Sequence, residues 1–296
     1  MKSTPGCQDS LFINSQVKQL DQPEEKEMSF LDHLEELRWH LIRSVIAVLV
    51  FSVAAFISVD YIFNVIIFGP AKLDFWTFKM LCKVGELIDS SALCITELDF
   101  KIQSRKMTGQ FTMHITSSFV IGIIIAFPYI FWEFWRFISP GLYSKERSAS
   151  RGSVLAVSFL FMTGVLFGYY IMAPLAVNFL AGYHVSDIVQ NEFDITSYVS
   201  TLSTLVLGSG LLFQLPIVVY FLSKVGIVTP NLMKAYRKHA IVVILVLGAM
   251  LTPPDPLSQV LIAFPLFGLY QFSILISGWV LRKRRKQELK EEAQYK

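Results

Sequence analysis

Apolar and polar residues succeed one another along this chain in long blocks, not in the two-residue alternation of a half-buried strand. Residues 1–28 are polar and acidic, have no apolar stretch and read as a mobile tail. Ser29-Phe-Leu-Asp32 is a helix-start signal, with Ser29 as the cap and Asp32 in the first turn. Phe30, Leu34, Leu37 and Leu41 then recur at helical spacing opposite Asp32, Glu35 and Glu36. This pattern predicts an amphipathic helix lying at a membrane interface and leading into a first span at 42–68, ended by Gly69-Pro70. A polar loop, 71–110, is long enough for structure of its own.

The second span is expected at 111–137, with Pro128 inside it, and the third at 153–179, with Pro174 near its end. Lipid-embedded helices tolerate proline when neighbours take up the freed carbonyl. A short loop at 180–196 has no Lys or Arg, and the fourth span, 197–224, is interrupted by Gly208, Gly210, Gln214 and Pro216. In the connector 226–238, Thr229-Pro-Asn is placed to start a helical turn. The fifth apolar run, 239–251, is short: at 1.5 Å per residue it reaches only about 20 Å of the ~30 Å hydrocarbon core. Thr252-Pro-Pro-Asp-Pro256 forces a reversal, because the prolines remove donors and restrict the residues before them. The sixth run, 257–281, carries Gln259 and Pro265, and a basic tail, 282–296, follows. The expectation is an all-α membrane protein with a 1–28 tail, a six-span domain at 29–281 and a C-terminal tail.

Composition supports a bilayer as the solvent: 53% of residues are hydrophobic and 17% charged, where a soluble domain carries about 25% charged. The net charge of +3 is too small to point to nucleic acid. Its distribution is informative. Cut at these spans, the N-terminal segment to Arg43 holds five Lys or Arg, the 136–151 connector four, the 224–238 connector four and the C-terminal tail seven. The other side holds six, all in the long first loop. Lys and Arg stay cytoplasmic, and long loops count less, so both termini and the 139–151 turn are expected inside the cell.

Cys82 and Cys94 then face an oxidising compartment. They form either a disulfide, worth on the order of 3 kcal/mol, or two thiols packed against the loop's aromatics. Cys7 lies in the tail, the five histidines are scattered, and no Cys/His spacing suits a metal. There is no Ser/His/Asp set and no phosphate-binding glycine loop, so neither catalysis nor a cofactor is expected.

The connector at 131–151 stands out. Phe131, Trp132, Phe134, Trp135, Phe137 and Tyr143 flank a Ser-Pro-Gly-Leu-Tyr turn that presents Glu146 between Lys145 and Arg147. Aromatic rings collect where hydrocarbon meets water. Read by pattern alone, Glu36 beside Arg38 is a solvated helix face, Glu146 is a polar loop residue, and Phe137 and Tyr143 are interface anchors.

Four motifs in order change that reading. His33-Leu-Glu-Glu-Leu-Arg38, Phe137-Ile-Ser-Pro-Gly-Leu-Tyr-Ser-Lys-Glu-Arg147, Phe213-Gln-Leu-Pro216 and Leu251-Thr-Pro-Pro-Asp-Pro-Leu-Ser-Gln259 together resemble the TatC family over roughly 29–281. This is the multispanning receptor subunit of the twin-arginine protein translocase. The resemblance implies a cytoplasmic-membrane receptor and assembly core for exporting folded proteins, driven by the proton gradient. Its expected partners are twin-arginine signal peptides, single-span TatA/TatB-type subunits and further copies of itself. Carboxylates in a fork geometry suit guanidinium groups, and Lys is a poor substitute for Arg there. By resemblance Glu146 is the primary arginine acceptor, Glu36 and Arg38 shape the other half of the surface, Phe137 and Tyr143 cover the peptide's apolar part, and Arg147 belongs to the same surface.

By the same resemblance, Gln214 and Gln259 are intramembrane polar residues that serve partner docking. Pro70 and Asp255 mark extracytoplasmic turns, although Asp255 reads equally well as a cap of the next helix, near Ser258. Two departures stand out. Ser144 and Ser148 occupy positions where relatives often have cations, and Gln214 stands where many have Glu, so no proton can be relayed there. Two other classes fit the pattern less well. A secondary transporter would show repeated halves and more polar groups at the 208–216 break, and a structural scaffold would not need Glu146.

Overall fold

The computed structural model describes residues 30–87, 89, 94, 100–138, 150–186, 191–251 and 256–294. Among the described residues, five helical stretches are long and apolar enough to cross a membrane: Glu35–Ile57, Gly109–Phe137, Val154–Gly182, Ile195–Val225 and Ala263–Lys286. Helices are the expected answer to such sequences, because in hydrocarbon every backbone donor and acceptor has to be matched within the chain.

Helix α1 (Phe30–Ile57) begins in the unit that ends at His40; Glu36 is half-buried there, and Leu37, Arg38 and Trp39 are exposed. The second unit, from Leu41, holds the remaining helices. After Ile57 come a single turn, Val59–Tyr61, a π-helical turn, Ile62–Ile67, and a 3-10 turn, Gly69–Ala71, so the first apolar run ends at Gly69-Pro70 as expected. The 71–110 loop then forms helix α2 (Trp76–Leu87) and strand β1 (Lys101–Gln103).

Helix α3 (Gly109–Ile138) carries Pro128 without a break. Helix α4 (Ser150–Phe167) passes through a π-helical turn, Gly168–Met172, into α5 (Ala173–Gly182). The wide turn precedes Pro174, which has no N–H to offer the Tyr170 carbonyl four residues back. That carbonyl accepts from the Thr77 hydroxyl of α2. Phe75 and Trp76 lay their rings against Tyr170 at centroid distances of 5.6 and 5.8 Å, so the first loop is packed onto the third apolar stretch.

Strand β2 (Glu192–Asp194) pairs in parallel with β1, Ile102 opposite Phe193, and the Phe100 and Phe193 rings meet at 5.0 Å. Asp194 then caps helix α6 (Ile195–Leu212), its carboxylate accepting from the Thr196 N–H at 3.1 Å. Phe213 and Gln214 interrupt the stretch before α7 (Leu215–Val225), with Pro216 in its first turn. Thr229 caps the short helix α8 (Pro230–Ala235), its hydroxyl accepting from the Leu232 N–H, as the connector's pattern predicts. Helix α9 (Arg237–Leu251) has 15 residues and is not among the five long stretches. Helix α10 (Pro256–Gln294) runs through Pro265 and on through the basic segment at 282–286, so the apolar run and most of the C-terminal tail form one helix.

The core lies between α4, α5 and α6. Phe161, Val165, Ala173, Ala176, Val199 and Leu205 are buried there, and the Phe161 ring stacks on Phe127 of α3 at 3.5 Å. Close approach of α4 to α6 needs Gly164: a Cβ there would stand 2.7 Å from the Ser209 carbonyl oxygen. Ser209 in turn donates its hydroxyl to the Gly164 carbonyl at 2.8 Å, a bond that small residues make reachable between closely packed apolar helices.

Candidate functional site

The connector with Tyr143, Glu146 and Arg147, and the reversal with Asp255, lie outside the described residues. Phe137 is half-buried at the end of α3, the helix that leads into the connector. The last turns of this helix alternate buried Glu133 and Trp135 with exposed Trp132, Phe134 and Arg136. Trp135 is buried against Phe221 of α7 at 5.1 Å, and Phe131 stacks on Trp135 at 6.2 Å.

One turn before Phe137 is a residue the pattern of the sequence did not single out. Glu133 is only 2% exposed, and its carboxylate accepts from the Tyr129 hydroxyl at 2.9 Å. A carboxyl group inside an apolar span is rare and marks a group worth testing. The signal was available: an acid in the middle of Phe131-Trp-Glu-Phe-Trp135 has only aromatic residues for two positions on either side.

Gln214 occupies the break between α6 and α7, where the Phe213 and Gln214 N–H groups still reach back to the Ser209 and Leu211 carbonyls. Its side-chain amide donates to the Val157 carbonyl of α4 at 3.2 Å, while its Oε1 is buried without a partner. Gln259 donates to the Leu245 carbonyl of α9 at 3.3 Å. The two glutamines therefore bond to different helices and not to each other.

At the opposite end of the spans Pro70 is fully buried. It cannot donate to the Ile66 carbonyl four residues back, and that carbonyl accepts from the Tyr169 hydroxyl at 2.8 Å. The Ile67 carbonyl accepts from Tyr198 at 2.8 Å, and the Asn64 carbonyl from the Lys72 ammonium at 2.7 Å. Three side chains from three segments thus cap this helix end. Beside it opens a cavity of about 780 Å³, lined by Asp60, Phe63, Asn64, Phe100, Gln110 and His114 among others. None of the residues nominated from the sequence lines it. His114 stacks flat on Phe56 at 3.9 Å and reaches the Phe56 carbonyl at 3.0 Å.

Cys82, halfway along α2, and Cys94 are joined as a disulfide, with Cα atoms 4.1 Å apart. It ties Cys94 to the helix that Thr77, Phe75 and Trp76 hold against the third stretch.

Comparison with known proteins places this architecture. The family described as "Sec-independent protein translocase protein (TatC)" matches residues 32–265. The TatC protein of Blattabacterium sp. subsp. Periplaneta americana is 41% identical over 263 residues, 88% of this chain and 99% of that protein. The Aquifex aeolicus TatC is 36% identical over 259 residues, 87% of this chain and 98% of that protein. Among solved structures, that of the twin arginine translocase receptor TatC in DDM superposes with a TM-score of 0.66 at 36% identity, covering 83% of this chain and 99% of that one. The match runs through both the apolar spans and the polar connectors, and it leaves the secondary-transporter reading without support. The chain belongs to the TatC family, the Sec-independent protein translocase proteins.

Proposed function

We propose that this protein is the twin-arginine signal-peptide receptor and assembly core of a translocase in the bacterial cytoplasmic membrane. It passes folded proteins outward on the proton gradient. The observation that carries the reading is the likeness, over most of both chains, to a solved structure named a twin arginine translocase receptor. On this reading the chain crosses the membrane six times, α9 being a short fifth span, and both termini and the connector at 139–149 face the cytoplasm. The cation counts support that orientation.

Glu146 is the primary acceptor for the arginine pair, with Arg147 beside it, and Glu36 and Arg38 contribute a second polar patch. Neither carboxylate has a Lys or Arg four residues away to occupy it. Phe137 and Tyr143 cover the apolar part of the peptide. Gln214 and Gln259 are docking positions for single-span partner subunits, and further copies of the chain complete the complex. The chain itself carries out no catalysis.

A twin-arginine peptide bearing a photocrosslinker, presented to the full chain in native membranes, tests this. Crosslinking to wild type should fall at least about tenfold in Glu146→Ala, because a charge-assisted bond to a guanidinium is worth ~1.5–3 kcal/mol. Passenger export that survives Glu36→Gln together with Glu146→Gln would overturn the proposal, and so would finding the connector on the outer face.

A further inference from the structure

A second charged surface gathers at the far end of the chain, at the end of the spans where α7 gives way to α8. Gly226, at φ 89°, ends α7. The Arg284 guanidinium lies 3.1 Å from where a Cβ on Gly226 would stand, so the basic end of α10 rests against this connector. The contact continues inward. Tyr270 donates to the Met233 carbonyl at 2.8 Å, Ser223 to the Ser277 hydroxyl at 2.8 Å, and Pro230 packs near Gly278.

The connector's Lys224, Lys234, Arg237 and Lys238 are thereby brought to the same end as the run Arg282-Lys-Arg-Arg-Lys286. From 224 to 286 the only acidic residue in the sequence is Asp255, which falls between the last residue of α9 and the first of α10. Lys234, Arg237 and Lys238 are exposed, as is every residue of the basic run. At 3.6 residues per turn, five consecutive cations surround a helix and do not mark one face of it, so they form a collar at the span's end.

Apolar groups share this surface. Val225 and Ile227 are 73% and 67% exposed, Leu232 and Tyr236 stand out between the lysines, and Trp279 is exposed one turn before the collar. The Lys283 ammonium sits over the Trp279 ring at 5.4 Å from its centroid. An indole with a cation above it, at the end of an apolar helix, is an arrangement suited to the headgroup layer. Cations interleaved with exposed aliphatic and aromatic groups fit a surface that is anionic on the outside and hydrocarbon just beneath.

We infer that this collar binds anionic phospholipid headgroups, holding the α8 connector and the basic end of α10 at an acidic membrane surface. The inference rests on the chain's membrane location and does not use the signal-peptide site. Free phosphate would satisfy the cations but not the exposed Leu232, Tyr236 and Trp279, which is why a lipid is the occupant.

The test is thermal unfolding of the full-length protein in neutral-detergent micelles supplemented with phosphatidylglycerol, phosphatidylcholine or inorganic phosphate. Phosphatidylglycerol should raise the melting temperature, the other two should not, and the rise should shrink in 1 M salt, where the Debye length is about 3 Å. Replacing Lys234, Lys238, Lys283, Arg285 and Lys286 together with Gln should raise the half-saturating lipid fraction at least about tenfold. Exchanging Lys and Arg at the same five positions should preserve the response, which separates lost charge from lost folding. An equal response to phosphatidylcholine or inorganic phosphate, or an undiminished response in the Gln variant, would overturn the inference. Because binding in micelles does not depend on which side the connector faces, such a failure would leave the receptor reading untouched, and failure of the peptide crosslink would leave this one untouched.

Discussion

The phenolic hydroxyl of Tyr198, on α6, donates to the backbone carbonyl of Ile67 at 2.8 Å, tying the start of one long helix to the end of the first. Tyr198 is buried, and the carbonyl belongs to a π-helical turn just ahead of Pro70. A buried carbonyl without a donor is disfavoured by the full desolvation of that group. Tyr198→Phe should therefore destabilise the fold by about 1–3 kcal/mol. Tyr169→Phe, which strands the neighbouring Ile66 carbonyl in a less buried place, should have a smaller effect. Thermal unfolding of both variants in detergent ranks them, and equal stability of Tyr198→Phe and wild type would show that water reaches this helix end.

Glu133 is the buried carboxyl group closest to the connector that holds Glu146. If its role is to accept from Tyr129, Glu133→Gln keeps an acceptor and should leave peptide crosslinking and export near wild type, whereas Glu133→Leu should lower both. Loss of export in Gln with peptide binding intact would instead assign the group a proton-exchanging role. Paired export and crosslinking measurements on the two variants distinguish the outcomes.

Gln214 leaves its Oε1 buried without a partner while its amide is bound to α4. On the docking reading, a partner helix would reach this buried acceptor only after the helices around it part, and such a bond is typically worth ~0.6 kcal/mol. Gln214→Glu should support export, and Gln214→Leu should weaken recovery of the single-span partners after detergent extraction. Normal partner recovery with Leu would remove Gln214 from the docking surface.

The Cys82–Cys94 bond ties Cys94 to a helix already held by Thr77 and the Phe75 and Trp76 rings. Replacing both cysteines with Ala should lower stability by roughly 2–3 kcal/mol without unseating α2. Alkylation of unreduced and reduced protein, read as a gel shift, checks the bond itself. A shift that is the same with and without reductant would mean the thiols are free.

Ser144 and Ser148 are uncharged, which leaves Lys145 and Arg147 as the cations within two residues of Glu146. Less repulsion toward an arginine pair predicts tolerance of residues flanking the pair. A binding series of peptides with altered flanks should show changes of less than about threefold, within a ~0.6 kcal/mol window. A steep dependence would mean that charge elsewhere sets the selectivity.

Much of this protein was written locally. The long apolar runs, the stop at Gly69-Pro70, the interruption at Phe213-Gln214 and the Thr229 cap depend on hydropathy and backbone chemistry within a few residues, so they could be read from order alone. The carboxylates at 36 and 146 could be nominated only because four motifs stood in a familiar sequence, since nothing in their local pattern distinguishes them from solvated acids. Other features were decided by distant neighbours: the parallel pairing of 101–103 with 192–194, the tyrosine caps on Ile66 and Ile67, the burial of Glu133, and the docking of α10's basic end on Gly226. Each depends on which donor, ring or glycine the packed helices bring within a few ångströms. A linear sequence specifies which groups need partners, and only the packed chain determines which partners arrive.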